Sequence, residues 1–105
     1  MEIKKISDKY QFYQEGADYV LEIANKKAGE DTTTELIISG VEDSNLLTLH
    51  PSCGCTLAER ILLPDGKVSA KIRYNDCDRT FTKIVIVKYK NVKLTTIKVK
   101  GTCQQ

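Results

Sequence analysis

Four cysteines and a single histidine are the side chains of this 105-residue chain best equipped for chemistry. Cys53 and Cys55 bracket Gly54, with His50 just upstream, while Cys77 and Cys103 lie far downstream of that pair. Three states are open to them. Buried free thiols behave as small hydrophobes and are the default in a reducing compartment. Alternatively, Cys53, Cys55, Cys77 and Cys103 could complete the tetrahedron of a zinc ion, with His50 as a spare ligand. Cys-x-Cys followed by two distant cysteines is, however, not a standard pair of metal knuckles. In the third state a disulfide joins Cys77 or Cys103 to one of the first pair. An extended strand would set Cys53 and Cys55 on one face about 6.5–7 Å apart at Cα, near the limit for a bridge.

Catalytic arrangements are thin. A Cys–His dyad would need His50 within hydrogen-bond reach of Cys53 or Cys55. The neighbouring Pro51 and Gly54 put all three on a turn, but no orienting third group follows in sequence, so His50 reads as a turn histidine. Glu59, Asp65 and Asp76 carry no spacing suited to acid–base work. The six glycines are scattered turn residues and form no phosphate-binding loop. The expectation is a protein without enzymatic activity, with no cofactor unless the cysteines hold zinc.

Composition narrows the partners. Sixteen basic and fourteen acidic residues leave a formal charge of +2, too little for a surface built to neutralise phosphates. The lysines of the last third (Lys83, Lys88, Lys90, Lys93, Lys98 and Lys100) mostly alternate with apolar residues, as the wet face of strands does. No nucleic-acid partner is expected. No stretch approaches the roughly 20 apolar residues of a membrane helix, and residues 1–16 hold no apolar run of signal-peptide length. No membrane partner is expected either.

Period-two alternation dominates the chain, and helical periodicity is missing. Tyr19, Leu21 and Ile23 share one face of a first strand, which breaks at the turn-rich residues 25–31. Residues 32–41 and 46–49 supply two more, the latter halted by Pro51, which cannot donate to a ladder and marks an edge or a strand end. Residues 56–63 are ambiguous, with the composition of a helix too short to be stable alone. Pro64, Asp65 and Gly66 make a turn in which proline presets φ and glycine accepts a positive one. Beyond it Val68, Ala70, Ile72 and Tyr74 alternate with polar residues. Strands over 80–90 and 92–102 meet at a tight turn on Asn91. Short strands with turn signals about every ten residues specify a single all-β, immunoglobulin-like sandwich of about seven antiparallel strands over residues 17–105. Residues 1–16, with Ile3, Ile6, Tyr10, Phe12 and Tyr13, form an N-terminal arm or an extra edge strand.

The run Ser52–Cys53–Gly54–Cys55–Thr56 resembles the hallmark of a bacterial and phage domain-of-unknown-function family with a Cys-Gly-Cys-Thr turn, of the ASPM/Hydin-type immunoglobulin-like class. The likeness covers roughly residues 17–103. Residues 19–25 resemble its first core strand, which ends in asparagine, and residues 36–39 the strand before the motif. Pro64–Gly66 resembles its proline–glycine turn and residues 68–74 the strand that follows. Phe81, Thr82 and Lys83 resemble its phenylalanine-and-lysine strand opening, and residues 97–101 its isoleucine–lysine–glycine ending. Family members commonly carry an export or lipoprotein signal, and Cys77 and Cys103 stand outside the usual pattern. The resemblance implies a fold and a binding or scaffolding habit, and no reaction.

The expected function is that of a structural or assembly protein, such as an auxiliary protein decorating a phage capsid, with a larger protein assembly as partner or a homo-oligomer. Virion or host cytoplasm is its expected place. The alternative is a thiol- or zinc-binding immunoglobulin-like interaction module of a bacterial cell.

Overall fold

The computed structural model describes residues 1–104. These carry nine strands: β1 (Glu2–Lys5), β2 (Gln11–Glu15), β3 (Asp18–Lys27), β4 (Thr34–Ser39), β5 (Leu47–Pro51), β6 (Thr56–Leu62), β7 (Val68–Tyr74), β8 (Thr80–Tyr89) and β9 (Val92–Gln104). One 3-10 turn, Ser44–Leu46, precedes β5. Two sheets result, in the orders β1-β4-β7-β6 and β2-β3-β9-β8-β5. Setting β2 and β3 aside, the remaining strands taken as A to G give A-B-E-D on one sheet and G-F-C on the other, the immunoglobulin constant-type arrangement. The nine strands exceed the expected seven because the N-terminal residues supply one edge strand to each sheet. Every ladder is antiparallel except β3 on β9.

The core lies between the sheets. Val68, Ala70, Ile72 and Tyr74 of β7 are all fully buried, as their alternation predicts, and meet Leu36 and Ile38 of β4 and Leu21 and Ile23 of β3. Across from them Val85, Val87, Ile97 and Val99 line the inner faces of β8 and β9. The ambiguous stretch 56–63 is strand and not helix: β6 pairs along its length with β7, from Thr56 opposite Tyr74 to Leu62 opposite Val68. Pro51 is the last residue of β5, an edge strand, where its missing N–H costs least.

Two turns follow their sequences. The Gly66 amide donates to the Leu63 carbonyl (3.1 Å) around Pro64 and Asp65, and Gly66 itself takes φ +84°. That is a three-residue hairpin loop with its left-handed position filled by glycine. At the β8–β9 hairpin both Lys90 (φ 51°) and Asn91 (φ 63°) are left-handed, as a two-residue loop of the primed type requires.

The bulge in β3 between Ile23 and Lys26 redirects a charged side chain. Asn25 takes φ 57°, and its amide donates to the Thr102 hydroxyl (2.9 Å). Alternation from Leu21 and Ile23 would turn Asn25 inward, yet Lys26 is the residue that is buried, 2 % exposed. Its ammonium lies 3.4 Å from the Lys27 carbonyl oxygen and 5.8 Å from the centre of the Tyr74 ring. A buried ammonium with so few partners costs more than its flexible stem returns. Lys26→Met keeps the stem and removes the charge, and is expected to raise the unfolding free energy by about 1 kcal/mol in a urea titration. A fall instead would mean that the ammonium over the Tyr74 ring stabilises the fold on balance.

Candidate functional site

Both cysteine pairs sit at one end of the sandwich, where β6 and β8 begin and β5, β7 and β9 finish. The β5–β6 connection starts at Ser52, whose amide donates to the Ile84 carbonyl (2.8 Å) and whose hydroxyl accepts from the Ile84 amide (3.2 Å). These bonds carry the β5–β8 ladder one residue past Pro51. The chain then turns at Gly54, with the Thr56 amide donating to the Cys53 carbonyl (3.1 Å). Cys53 and Cys55 are joined as a disulfide at a Cα separation of 5.2 Å. The Cys55 amide donates to the Cys53 sulfur (3.2 Å), and the Asn75 amide to the Cys55 carbonyl (2.7 Å), docking the turn on the end of β7. Cys55 packs against the core, whereas Ser52 and Gly54 are exposed.

Cys77 and Cys103 form the second disulfide, also 5.2 Å apart at Cα. Cys103 is buried in β9 opposite Lys26 and its amide donates to the Arg79 carbonyl (3.2 Å), so the bridge ties the β7–β8 loop to the last strand. In the same loop the Tyr74 hydroxyl donates to the Asp78 carboxylate (3.1 Å) and accepts from the Asp78 amide (3.3 Å). The Tyr74 ring stacks on Phe81, 3.9 Å between centres. Burial lifts the Tyr74 phenol above its ordinary range, with the Asp78 carboxylate adding to the rise and the Asp78 amide opposing it. A parallel clasp joins two other loops of this end: the Tyr10 hydroxyl donates to Glu30, and that hydrogen bond holds the Glu30 carboxyl below the usual range.

These pairings correct the sequence reading of the cysteines. Of the three open states, free core thiols give way to disulfides, and the bridges run within each pair and not from Cys77 or Cys103 to the first pair. The extended-strand separation does not apply to Cys53 and Cys55, because the turn at Gly54 draws them together. Nor does the structure gather Cys53, Cys55, Cys77 and Cys103 into one tetrahedron. Among the described residues no group of three or more His, Cys, Asp or Glu is placed to hold a metal. His50 lies exposed on β5, its Nε2 2.8 Å from the Thr48 hydroxyl, engaged there and not at the cysteines. The late lysines sit on strands and loops as expected. Lys98 projects from the outer face of β9, 3.8 Å from Asp18 and 3.9 Å from Glu15. The Thr96 hydroxyl, then Lys98 and Lys93, hold the Asp18 carboxyl below its ordinary value.

A feature that the sequence reading missed is the β6 edge. Of the four edge strands, β1 is four residues long with three charged side chains, and β5 ends in proline. β2 has five residues and its one large exposed apolar side chain is Tyr13. Such short, charged or proline-bearing edges discourage a further strand. β6 is seven residues long and exposes Leu57, Ile61 and Leu62 at 47, 36 and 43 %. Its Arg60 reaches across to the start of β5, donating to the carbonyls of Ser44 (3.4 Å), Asn45 (3.2 Å) and Leu47 (2.7 Å). The helical look of residues 56–63 concealed this, since the strand is exposed on both faces from Glu59 onward and has no reason to alternate there.

Comparison with protein-family models, curated proteins and solved structures finds no match. The functional reading therefore stands on the geometry: the longest edge strand, with Leu57, Ile61 and Leu62 exposed around Glu59 and Arg60, preceded directly by a half-exposed disulfide turn. No helix among the described residues is long and apolar enough to cross a membrane.

Proposed function

We propose that this protein is a non-enzymatic assembly domain that holds an extended segment of a protein partner along the free edge of β6, as an auxiliary subunit on a larger particle such as a phage capsid. The observation that carries the reading is Leu57, Ile61 and Leu62 exposed on the longest of the four edge strands. Strand addition supplies affinity through main-chain hydrogen bonds and specificity through alternate side chains. Leu57, Glu59 and Ile61, opposite Arg73, Lys71 and Ser69 on β7, offer the incoming strand an apolar-charged-apolar row. Two disulfides support an oxidising setting, for which the outside of a particle qualifies. The binding habit implied by the Cys-Gly-Cys-Thr resemblance points the same way.

The test is a density gradient of native source material, with wild type beside Leu57→Lys/Ile61→Lys. Lysine on an edge strand deters pairing while leaving the core untouched. Wild type is expected in the particle fraction and the variant at the monomer position, with urea midpoints alike. A wild-type chain found only as monomer, or a variant that stays with the particle, would sink the proposal. A second reading, an interaction module acting through thiols, is favoured by the amide of Cys55 directed at the Cys53 sulfur.

A further inference from the structure

We infer that the Cys53–Cys55 turn is a thiol–disulfide exchange site that takes a cysteine thiolate of the segment docked on β6 and holds it as a mixed disulfide on Cys53. Only the identity of the incoming segment rests on the β6 reading; exchange at Cys53 stands on the turn itself.

The bridge contributes little to holding the turn, whose shape is fixed by other bonds. Ser52 is bonded to Ile84 in both directions, the Thr56 amide closes on the Cys53 carbonyl, and the Asn75 amide anchors Cys55. Opening the disulfide therefore leaves the backbone of the turn in place, so the two sulfurs part only to non-bonded contact and stay neighbours. The turn faces solvent: Gly54 is exposed, a Cβ placed on it would meet nothing within 4 Å, and Cys53 beside it is partly exposed. The two sulfurs are also unlike. Cys55 packs against the core with the Thr56 hydroxyl 3.9 Å from its sulfur, while Cys53 receives the Cys55 amide. The Thr56 hydroxyl can donate to the thiolate that leaves on Cys55, and the packing of Cys55 against the core turns attack toward Cys53. Leu57, two residues beyond the turn and nearly half exposed, gives an incoming apolar strand its first hold beside the reacting sulfur.

The partner thiol loses its proton to solvent, and its thiolate attacks the Cys53 sulfur opposite the existing S–S bond. A bond forms from partner sulfur to Cys53 as the Cys53–Cys55 bond breaks. The electron pair passes to the Cys55 sulfur, which takes a proton from solvent. One disulfide is consumed and one is made, so no external oxidant is needed. Release is the reverse: the Cys55 thiolate attacks Cys53 and frees the partner thiol.

Two probes separate this inference from the docking it borrows. Reduced glutathione, which has no strand to dock, is incubated with the native oxidised chain, quenched with acid and read by intact mass and fragmentation. One adduct on Cys53 is expected, forming at least about tenfold faster than the Cys77–Cys103 bridge opens. An adduct on Cys55, equal opening of both bridges, or no adduct overturns exchange at Cys53. The second probe is a peptide with one cysteine followed by an alternating leucine strand. It is expected to react faster than glutathione with wild type and at the glutathione rate with Leu57→Lys/Ile61→Lys. Equal rates on wild type with an intact Cys53 adduct would overturn the docked segment and leave the exchange standing.

Discussion

Gly101→Ala is expected to lower the unfolding free energy by about 3 kcal/mol or more, the upper range for forcing atoms into a packed interior. A methyl group at this position would lie 1.8 Å from the Ile23 carbonyl oxygen, 2.6 Å from its carbon and 3.1 Å from its nitrogen. All three are backbone atoms, so no side chain can swing aside. Gly101 is the residue of β9 opposite Ile23, at the point where β3 bulges before Lys26. Relief requires β3 to move off β9, taking the fully buried Leu21 and Ile23 out of the core. Gly54→Ala is the matched control, since its Cβ would enter open space. Urea titrations of the two oxidised variants compare them directly. Coincident midpoints would show that β3 and β9 have slack that the close approach denies.

The second large effect separates the two disulfides. By loop-closure entropy, a bridge across the separation of 26 between Cys77 and Cys103 stabilises by roughly 3.5 kcal/mol, and one across the separation of 2 between Cys53 and Cys55 by roughly 1.5 kcal/mol. Against the roughly 5–15 kcal/mol that holds a typical domain folded, the first is a large share. Cys77→Ala/Cys103→Ala is thus expected to shift the urea midpoint about twice as far as Cys53→Ala/Cys55→Ala. Burial adds to the contrast: Cys103 is buried opposite Lys26 and its truncation leaves space there, whereas the Gly54 turn faces solvent. Equal midpoints for the two double variants would refute the assignment of the long bridge as the structural one.

What could be read from the sequence follows from how each strand is buried. β7 has one face wholly in the core, so Val68, Ala70, Ile72 and Tyr74 announced it, and the Pro64–Gly66 turn fixed where it begins. β1 and β2 were harder, because each is an edge strand that gives few side chains to the core, notably Ile3 and Phe12. β6 was hardest, since only Thr56 and Ala58 at the start of its inner face are sheltered, too few to select a pattern. Lys26 escaped for a different reason: its burial follows from a bulge, and one extra residue reverses which side chains point inward. The cysteine pairing lay beyond local reasoning altogether. Cys77 and Cys103 meet only once the β7–β8 loop has closed over the end of β9, and the separation of Cys53 from Cys55 depends on a turn that an extended-strand estimate ignores. The candidate docking edge was invisible for a related reason, as an edge is defined by which neighbour is missing.

The place of β9 in its sheet has a consequence for how the protein is made. It is the last strand in sequence, yet it lies in the middle of the five, with β2 and β3 on one side and β8 and β5 on the other. Until residues 92–104 have left the ribosome, the two halves of that sheet share no ladder. The nascent chain must therefore wait, with the backbone edges of β3 and β8 that face each other unpaired, and then close in one late step that inserts β9 parallel to β3 and antiparallel to β8. Chaperone dependence during synthesis should accordingly track the interval between the emergence of β8 and that of β9, so that slowing translation across residues 90–100 prolongs the vulnerable state.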